Sequence, residues 1–95
     1  MPNIARESHN ISSGPAYIIT RAGQTSVYLD GYLVAVADAT GAAQVSNHPS
    51  SHNNIKIDEG SATMFIEDKP VAFAGSGLTC SHTIASTITS TATVD

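Results

Sequence analysis

The side chains that could bind a metal ion are four histidines and one cysteine: His9, His48, His52, Cys80 and His82. In an extended chain, Cys80 and His82 point to the same side and can reach one ion. His48 and His52 have helical spacing, but Pro49 between them favours a loop. No CxxC motif and no HxxxH helix supports a metal site here. Taken singly, each histidine is also consistent with an exposed loop residue, and Cys80 with a buried, inert thiol.

The composition excludes several classes of protein. The single cysteine allows no intramolecular disulfide, and 95 residues suffice for one domain with a modest core, taken as 1–95. The net charge is −4, and the four cationic residues are scattered, so we expect no nucleic-acid binding. No apolar run has the length of a membrane span, and residues 1–7 lack the apolar segment of a signal peptide. We therefore expect a product made in the host cytoplasm.

The chain is predicted to be all-β. The segments Gln24–Leu29 and Tyr32–Ala37 flank Asp30-Gly31, a strong hairpin signal because both turn positions favour positive φ. A second pair of strands, Thr63–Glu67 and Val71–Ala74, is predicted around a turn at residues 68–70. Residues 83–94 are rich in Thr, Ser, Ile and Ala, which favours a packed edge strand over a low-complexity linker.

An internal repeat organises these strands. Residues 23–37 match residues 60–74 at an offset of 37, and a truncated third copy places residues 90–94 on 60–64 at an offset of 30. Chance similarity between short hairpins is the alternative. Three units in so short a chain predict pseudo-threefold symmetry about one axis. The expected fold is a small cone of three pseudo-repeated β-hairpin units that converge on a metal-bound apex.

The polar loop of each unit carries a Ser-His pair: Ser8-His9, Ser51-His52 and Ser81-His82. Under threefold symmetry, His9, His52 and His82 are predicted to converge at one end, next to Cys80. Three imidazoles and one thiolate form a closed tetrahedral set, which is typical of structural zinc. Iron, or no metal at all, is the alternative.

Several segments resemble the PAAR-repeat family. Residues 2–6 (PNIAR) resemble its opening segment, 33–36 and 70–73 fall where later copies would lie, and 23–27 and 60–64 resemble its Gly-Ser hairpin start. Asp38 stands where the aspartate of a Gly-Asp pair would be, although Ala37 replaces the glycine. Val36 and Phe73 replace the arginine of the later copies.

The resemblance implies a tip that caps the C-terminal end of a trimeric β-helical spike, as one monomer on a homotrimer, and helps it to pierce a membrane. Such tips occur on type VI secretion spikes and on contractile phage tails. A T-even-like baseplate, and so a virion location, is the expected context, with no effector domain fused. The resemblance also implies one metal near the apex, held by His9, His52, Cys80 and His82, with His48 as a substitute for His9 or His52.

Two other functions compete with a spike tip. An enzyme would have to use the Ser-His pairs, whose neighbouring side chains point in opposite directions in a strand, or Glu7 and Asp38 as general bases, which nothing marks. We therefore expect no enzymatic activity. A small metal-stabilised adaptor or binding module remains the alternative to a spike tip.

Overall fold

A computed structural model describes residues 2–12, 14–46 and 54–94. Within these ranges the protein is all-β and has no helix, so no helix there is long and apolar enough to cross a membrane. Three antiparallel two-stranded hairpins are present. They are formed by β1 (Asn10–Ile11) with β2 (Gly14–Ile18), β3 (Tyr28–Leu29) with β4 (Tyr32–Leu33), and β5 (Phe65–Ile66) with β6 (Lys69–Pro70). The all-β prediction is confirmed.

The β3–β4 hairpin forms where the Asp30-Gly31 signal predicted it. Asp30 has a φ of 54° and Gly31 a φ of 86°, so both turn residues lie in the left-handed region. Such a turn matches the right-handed twist of the flanking strands, and a glycine at the second position adopts it without steric cost. Leu29 pairs with Tyr32 immediately beyond the turn, and Tyr28 pairs with Leu33 one position further.

The β5–β6 hairpin turns one residue earlier than predicted. Glu67 and Asp68 form the turn, with φ values of 53° and 65°, whereas the prediction placed it at residues 68–70. Pro70 lies in β6 opposite Phe65, so it belongs to the return strand and does not form the corner. The offset of 37 between the two hairpins nevertheless holds, because the turn at 30–31 falls on 67–68.

The β1–β2 hairpin is not one of the three repeat units. The first two units contain the β3–β4 and β5–β6 hairpins, and the third unit is a hairpin made from two distant parts of the chain. Asn3 pairs with Thr93, and the N–H of Ile4 donates to the carbonyl of Ala92 at 3.0 Å. The equivalent bond joins the two strands in each of the other units. The N–H of Val34 donates to the carbonyl of Val27 at 3.0 Å, and the N–H of Val71 donates to the carbonyl of Met64 at 2.9 Å. Ala92 is therefore the counterpart of Met64, an offset of 28 in place of the predicted 30.

A closed ring of backbone hydrogen bonds joins the three units. The N–H of Ala5 donates to the carbonyl of Ala72 at 3.0 Å. Ala72 donates to Ala35 at 2.9 Å, and Ala35 donates back to Ala5 at 3.0 Å. All three alanines are fully buried, and a larger residue would force the strands apart. The predicted pseudo-threefold arrangement is thus present in the backbone.

The predicted edge strand over residues 83–94 is not continuous. Only Thr83, Ile84 and Thr93 form isolated bridges there, although Ile84, Ile88 and Val94 are all buried, as their spacing had indicated. The segment packs its apolar side chains while its backbone pairs in turn with different partners. Burial was predicted correctly for this segment, and its secondary structure was not.

The core has two parts. The larger cluster contains the three ring alanines and several isoleucines, among them Ile11, Ile19, Ile57 and Ile84. The smaller one, here called the hairpin cluster, packs among the hairpins and consists of Ile4, Val34, Val36, Val71 and Val94. The buried amide of Gln44 joins separate backbone segments by hydrogen bonds. Its Nε2 donates to the carbonyls of Ala22 and Val36 at 3.0 and 2.8 Å. Its Oε1 accepts from the N–H of Ile57 at 2.9 Å.

Candidate functional site

Cys80 and His82 lie side by side in a tight turn. The Sγ of Cys80 is 3.6 Å from the Nδ1 of His82. The N–H of Leu78 donates to the carbonyl of His82 at 2.9 Å, which closes the turn, and Ser81 between the pair has a φ of 74°. This left-handed residue turns the chain, so the two side chains meet across a turn and not in the extended chain that the prediction assumed.

The separation of the two atoms suits a shared metal ion. With Zn–S near 2.3 Å and Zn–N near 2.0–2.1 Å, two ligands of a tetrahedral zinc lie roughly 3.6 Å apart. Cys80 is partly buried against the larger core cluster, so its sulfur is held in position. The donor types, their spacing and this packing fit a structural metal.

His9 has a different environment. The N–H of Arg6 donates to His9 Nδ1 at 3.1 Å, and His9 Nε2 lies 3.0 Å from the carbonyl of Thr89. These bonds require the neutral tautomer that carries its proton on Nε2. Burial lowers the pKa of His9 below its usual value, and the charge of Arg6 lowers it further. Both ring nitrogens are therefore engaged by the backbone.

The hydrogen-bond register places His9 and His82 at different positions in the threefold pattern. The N–H of Ser8 donates to Ile19, and in the same way the N–H of Gly75 donates to Ile84, both at 2.9 Å. His9 therefore corresponds to Ser76, whose hydroxyl accepts from the N–H of Phe73 at 2.9 Å, as His9 accepts from Arg6. Ser8-His9 and Ser81-His82 look alike in sequence but are not equivalent in the fold.

The full ligand set stays a prediction. His48 and His52 lie outside the described residues. Within residues 2–12, 14–46 and 54–94, no three His, Cys, Asp or Glu side chains cluster as metal ligands, so His9 does not join Cys80 and His82. Of the three candidates that lie among the described residues, the structure brings together Cys80 and His82.

The two carboxylates considered as general bases are both engaged in structural bonds. The buried Asp38 pairs with Arg21 at 3.0 Å and with Lys69 at 3.7 Å. Glu7 accepts the N–H of Ala22 at 3.0 Å. Asp38 thereby links Arg21 to Lys69 of the β5–β6 hairpin.

An apolar cavity opens on the hairpin side of the molecule. Its lining includes Ile4, Val34 and Val71, which are equivalent positions of the three units and belong to the hairpin cluster. Met64 and Ala92, which are also equivalent, lie beside them. The cavity thus repeats the pseudo-threefold pattern of the backbone. Sequence reasoning missed this face, although equivalent apolar residues at 34 and 71 of the repeat were a signal for it.

Exposed apolar side chains surround this cavity. Tyr28 is 65% exposed and Phe65 is 56% exposed, and both contribute to its lining. Tyr32, which is also exposed, lies under the guanidinium of Arg6 at 4.3 Å from the ring centre. Exposed aromatic residues grouped in this way typically mark an interaction surface.

The β3–β4 and β5–β6 hairpins are here called the two continuous hairpins, because each is the unbroken hairpin of a repeat unit. Their turns are acidic, and each turn accepts hydrogen bonds from the neighbouring unit in a contact here called a latch. Asp30 accepts from the hydroxyl of Thr91 at 2.8 Å, and its counterpart Glu67 accepts from the hydroxyl of Ser26 at 2.9 Å. A bond from the N–H of Thr25, and then that from Ser26, lower the pKa of Glu67. Each latch fixes a hairpin relative to the next one around the axis.

Comparison with known proteins agrees with this architecture. The family model of the PAAR motif matches residues 12–86, a range that contains the β3–β4 and β5–β6 hairpins and the Cys80–His82 turn. A search of curated proteins gave no match. The matched range covers most of the sequence, and the chain belongs to the PAAR motif family.

Proposed function

We propose that this protein caps the blunt end of a trimeric β-helical spike in a contractile phage tail or a type VI secretion machine, and helps the spike to pierce the target envelope. The PAAR motif indicates a spike-tip protein of a contractile injection system. The capped partner, the piercing step and the machine are our inference. The role we propose is structural and not enzymatic.

The observation that carries this proposal is the shared axis of the backbone ring and the apolar cavity. A single chain that seats on a homotrimer must offer three similar surfaces to three identical ones. Ala5, Ala35 and Ala72 define such an axis, and the equivalent residues Ile4, Val34 and Val71 line the cavity beside it.

The physical need for such a cap is clear. A β-helix that ends abruptly exposes unpaired strand edges and an apolar cross-section, which favour aggregation. Short hairpins arranged around an axis can cover those edges, and the apolar cavity can receive the exposed cross-section. Each Å² of apolar surface removed from water contributes roughly 25 cal/mol, and this gain must exceed the entropy lost when the two molecules associate.

We further propose that the Cys80–His82 turn belongs to a structural metal site with zinc, or alternatively iron. Both ring nitrogens of His9 bind the backbone. The remaining candidates are then His48, His52, Cys80 and His82, which is again three histidines and one cysteine. When bound, the ion supplies a cross-link that stiffens a small domain without a larger core.

The decisive experiment mixes the purified protein with a trimeric β-helical C-terminal spike fragment encoded beside it and measures the mass of the complex. We expect one chain per three spike chains by native mass spectrometry. Phe65→Glu, on the cavity rim, should abolish the complex. Thr40→Glu, an exposed turn position outside the cavity lining, should leave it intact.

Absence of a complex at micromolar concentration would overturn the cap and favour an adaptor module. The choice between the two machines rests on gene context. Baseplate and lysozyme-spike genes beside this one indicate a phage tail, and sheath and effector genes indicate a secretion machine.

A further inference from the structure

The three sides of the apolar face are unequal. The hydrogen-bond register aligns three triplets, one from each unit: Val27-Tyr28-Leu29, Met64-Phe65-Ile66 and Ala92-Thr93-Val94. The central residues of the first two are large and aromatic, and that of the third is a threonine. At every position, the third triplet has the smallest side chain of the three.

The cavity reflects this difference. Every residue of the first two triplets contributes to its lining, whereas Ala92 is the one residue of the third that does so. Tyr28 and Phe65 are more than half exposed, so each has apolar surface left to bury against a partner. Thr93 is exposed as well, but it offers far less apolar area.

We propose that the two continuous hairpins, through Tyr28 and Phe65, supply most of the affinity for the trimeric spike, and that the third side at Thr93 is a weak contact. This inference rests on the proposed function. Three identical spike chains present three identical surfaces, so the inequality comes entirely from this protein. Aromatic residues in a desolvated contact typically dominate binding energy.

The acidic turns define the chemistry of the partner further. Asp30, Glu67 and Asp68 place negative charge at the tips of the two continuous hairpins. A complementary spike end is apolar at its centre and carries lysine or arginine around its margin. Electrostatic complementarity of this kind also fixes the angle of the monomer about the axis of the trimer, in three equivalent orientations.

The test measures the affinity for the trimeric spike fragment by calorimetry. Tyr28→Thr and Phe65→Thr, which copy the residue of the third side, should each weaken binding about tenfold or more. Thr93→Tyr, which copies the first side, should strengthen it by a comparable factor. Leu33→Thr, on the strand opposite Tyr28 and outside the lining of the cavity, is the matched control and should change the affinity little.

The outcomes separate this inference from the function beneath it. If the unmodified protein does not bind the spike fragment, the cap itself fails. If it binds, but Tyr28→Thr and Phe65→Thr bind equally well or Thr93→Tyr gives no gain, the proposed inequality of the three sides is wrong. The proposed function as a spike cap is then retained. Circular dichroism of each variant confirms that the fold is retained, and a variant that unfolds is replaced by the milder Tyr28→Val, Phe65→Val or Thr93→Val.

Discussion

The Sγ of Cys80 lies 3.6 Å from the Nδ1 of His82, a distance that two ligands of one tetrahedral metal ion would have. Leu78 closes the turn that holds the pair, through a hydrogen bond to the carbonyl of His82. The two side chains are thus positioned by the local turn, and the packing of Cys80 against the larger core cluster holds that turn in place.

This geometry predicts how metal content responds to substitution. Cys80→Ser and His82→Ala should each lose most of a stoichiometric metal ion, because each removes a ligand. His9→Gln should retain it. Elemental analysis of the purified variants measures this directly. Loss of metal in His9→Gln, or full metal in Cys80→Ser, would contradict the proposed ligand set.

Removal of the metal should destabilise the protein strongly. A structural zinc contributes on the order of 10 kcal/mol in small domains, so a chelator should lower the unfolding temperature by tens of degrees or unfold the chain. Thermal scans with and without chelator check this. Cys80→Ser is the control and should respond little to chelator, and an unchanged transition in the unmodified protein would exclude a structural metal.

The neutral state of His9 predicts a dependence of stability on pH. Burial and Arg6 lower the pKa of His9 below 6.5, so protons bind the unfolded chain more readily than the folded one. The stabilising contribution is complete above about pH 6.5 and declines as the pH falls through the lower, folded-state pKa. Urea unfolding from pH 8 to 5 should show this decline.

His9→Gln is the matched control for this effect. Its amide oxygen can accept the N–H of Arg6 and its amide nitrogen can donate to Thr89, but it does not titrate. The variant retains every other titrating group, so the difference between the two pH profiles isolates His9. Parallel profiles would show that His9 contributes nothing to the acid sensitivity.

Gln44 should be among the least replaceable polar residues. It is fully buried, and Gln44→Leu leaves the carbonyls of Ala22 and Val36 and the N–H of Ile57 without this partner. Each buried group left unsatisfied costs roughly 1–3 kcal/mol, so we expect a loss of about 3 kcal/mol or more in the free energy of unfolding. Denaturant titration measures it.

An exposed residue provides the comparison for Gln44. Thr25→Ala should change the free energy of unfolding by less than about 0.5 kcal/mol, because the bond from Thr25 to Glu67 is made by its main chain. A Gln44→Leu variant as stable as Thr25→Ala would show that water replaces the lost bonds.

Asp38 should hold its two ion-pair partners, Arg21 and Lys69, in place electrostatically. Asp38→Ala leaves Arg21 and Lys69 without their shared carboxylate and opens space beside Gly41, where a Cβ would meet the Asp38 side chain. Arg21 and Lys69 are partly exposed, so water compensates part of the loss, and we expect about 1–3 kcal/mol of destabilisation. Glu67→Gln, at an exposed latch, should cost less. Equal effects in urea titrations would refute a special role for Asp38.

The sequence predicted those features that depend on local chemistry or on repetition. Asp30-Gly31 marked its turn because few residue pairs tolerate two positive φ values, and the offset of 37 placed the second hairpin correctly. The turn at Glu67-Asp68 was misplaced because Pro70 is itself a strong turn signal. Its position within β6 depends on pairing with Phe65, which no local rule encodes.

Positions that depend on the register between units were not predictable. Ser8 and Ser81 both have φ near 75° and both precede a histidine, yet only the hydrogen bonds to Ile19 and Ile84 show that Ser8 corresponds to Gly75. The spacing of Cys80 and His82 was informative because the two residues are almost adjacent. The relation of His9 to that pair depends on the whole fold.

The split third unit also determines how the chain must fold. Asn3 and Thr93 pair across 89 intervening residues, and the alanine ring needs Ala5 beside both Ala35 and Ala72. The entropy of closing such long loops must be overcome before these contacts stabilise anything, which slows folding. On the ribosome, the two continuous hairpins can form early. The third unit can close only after residue 93 has emerged from the exit tunnel, because Asn3 and Ile4 meet Thr93 and Ala92 only then.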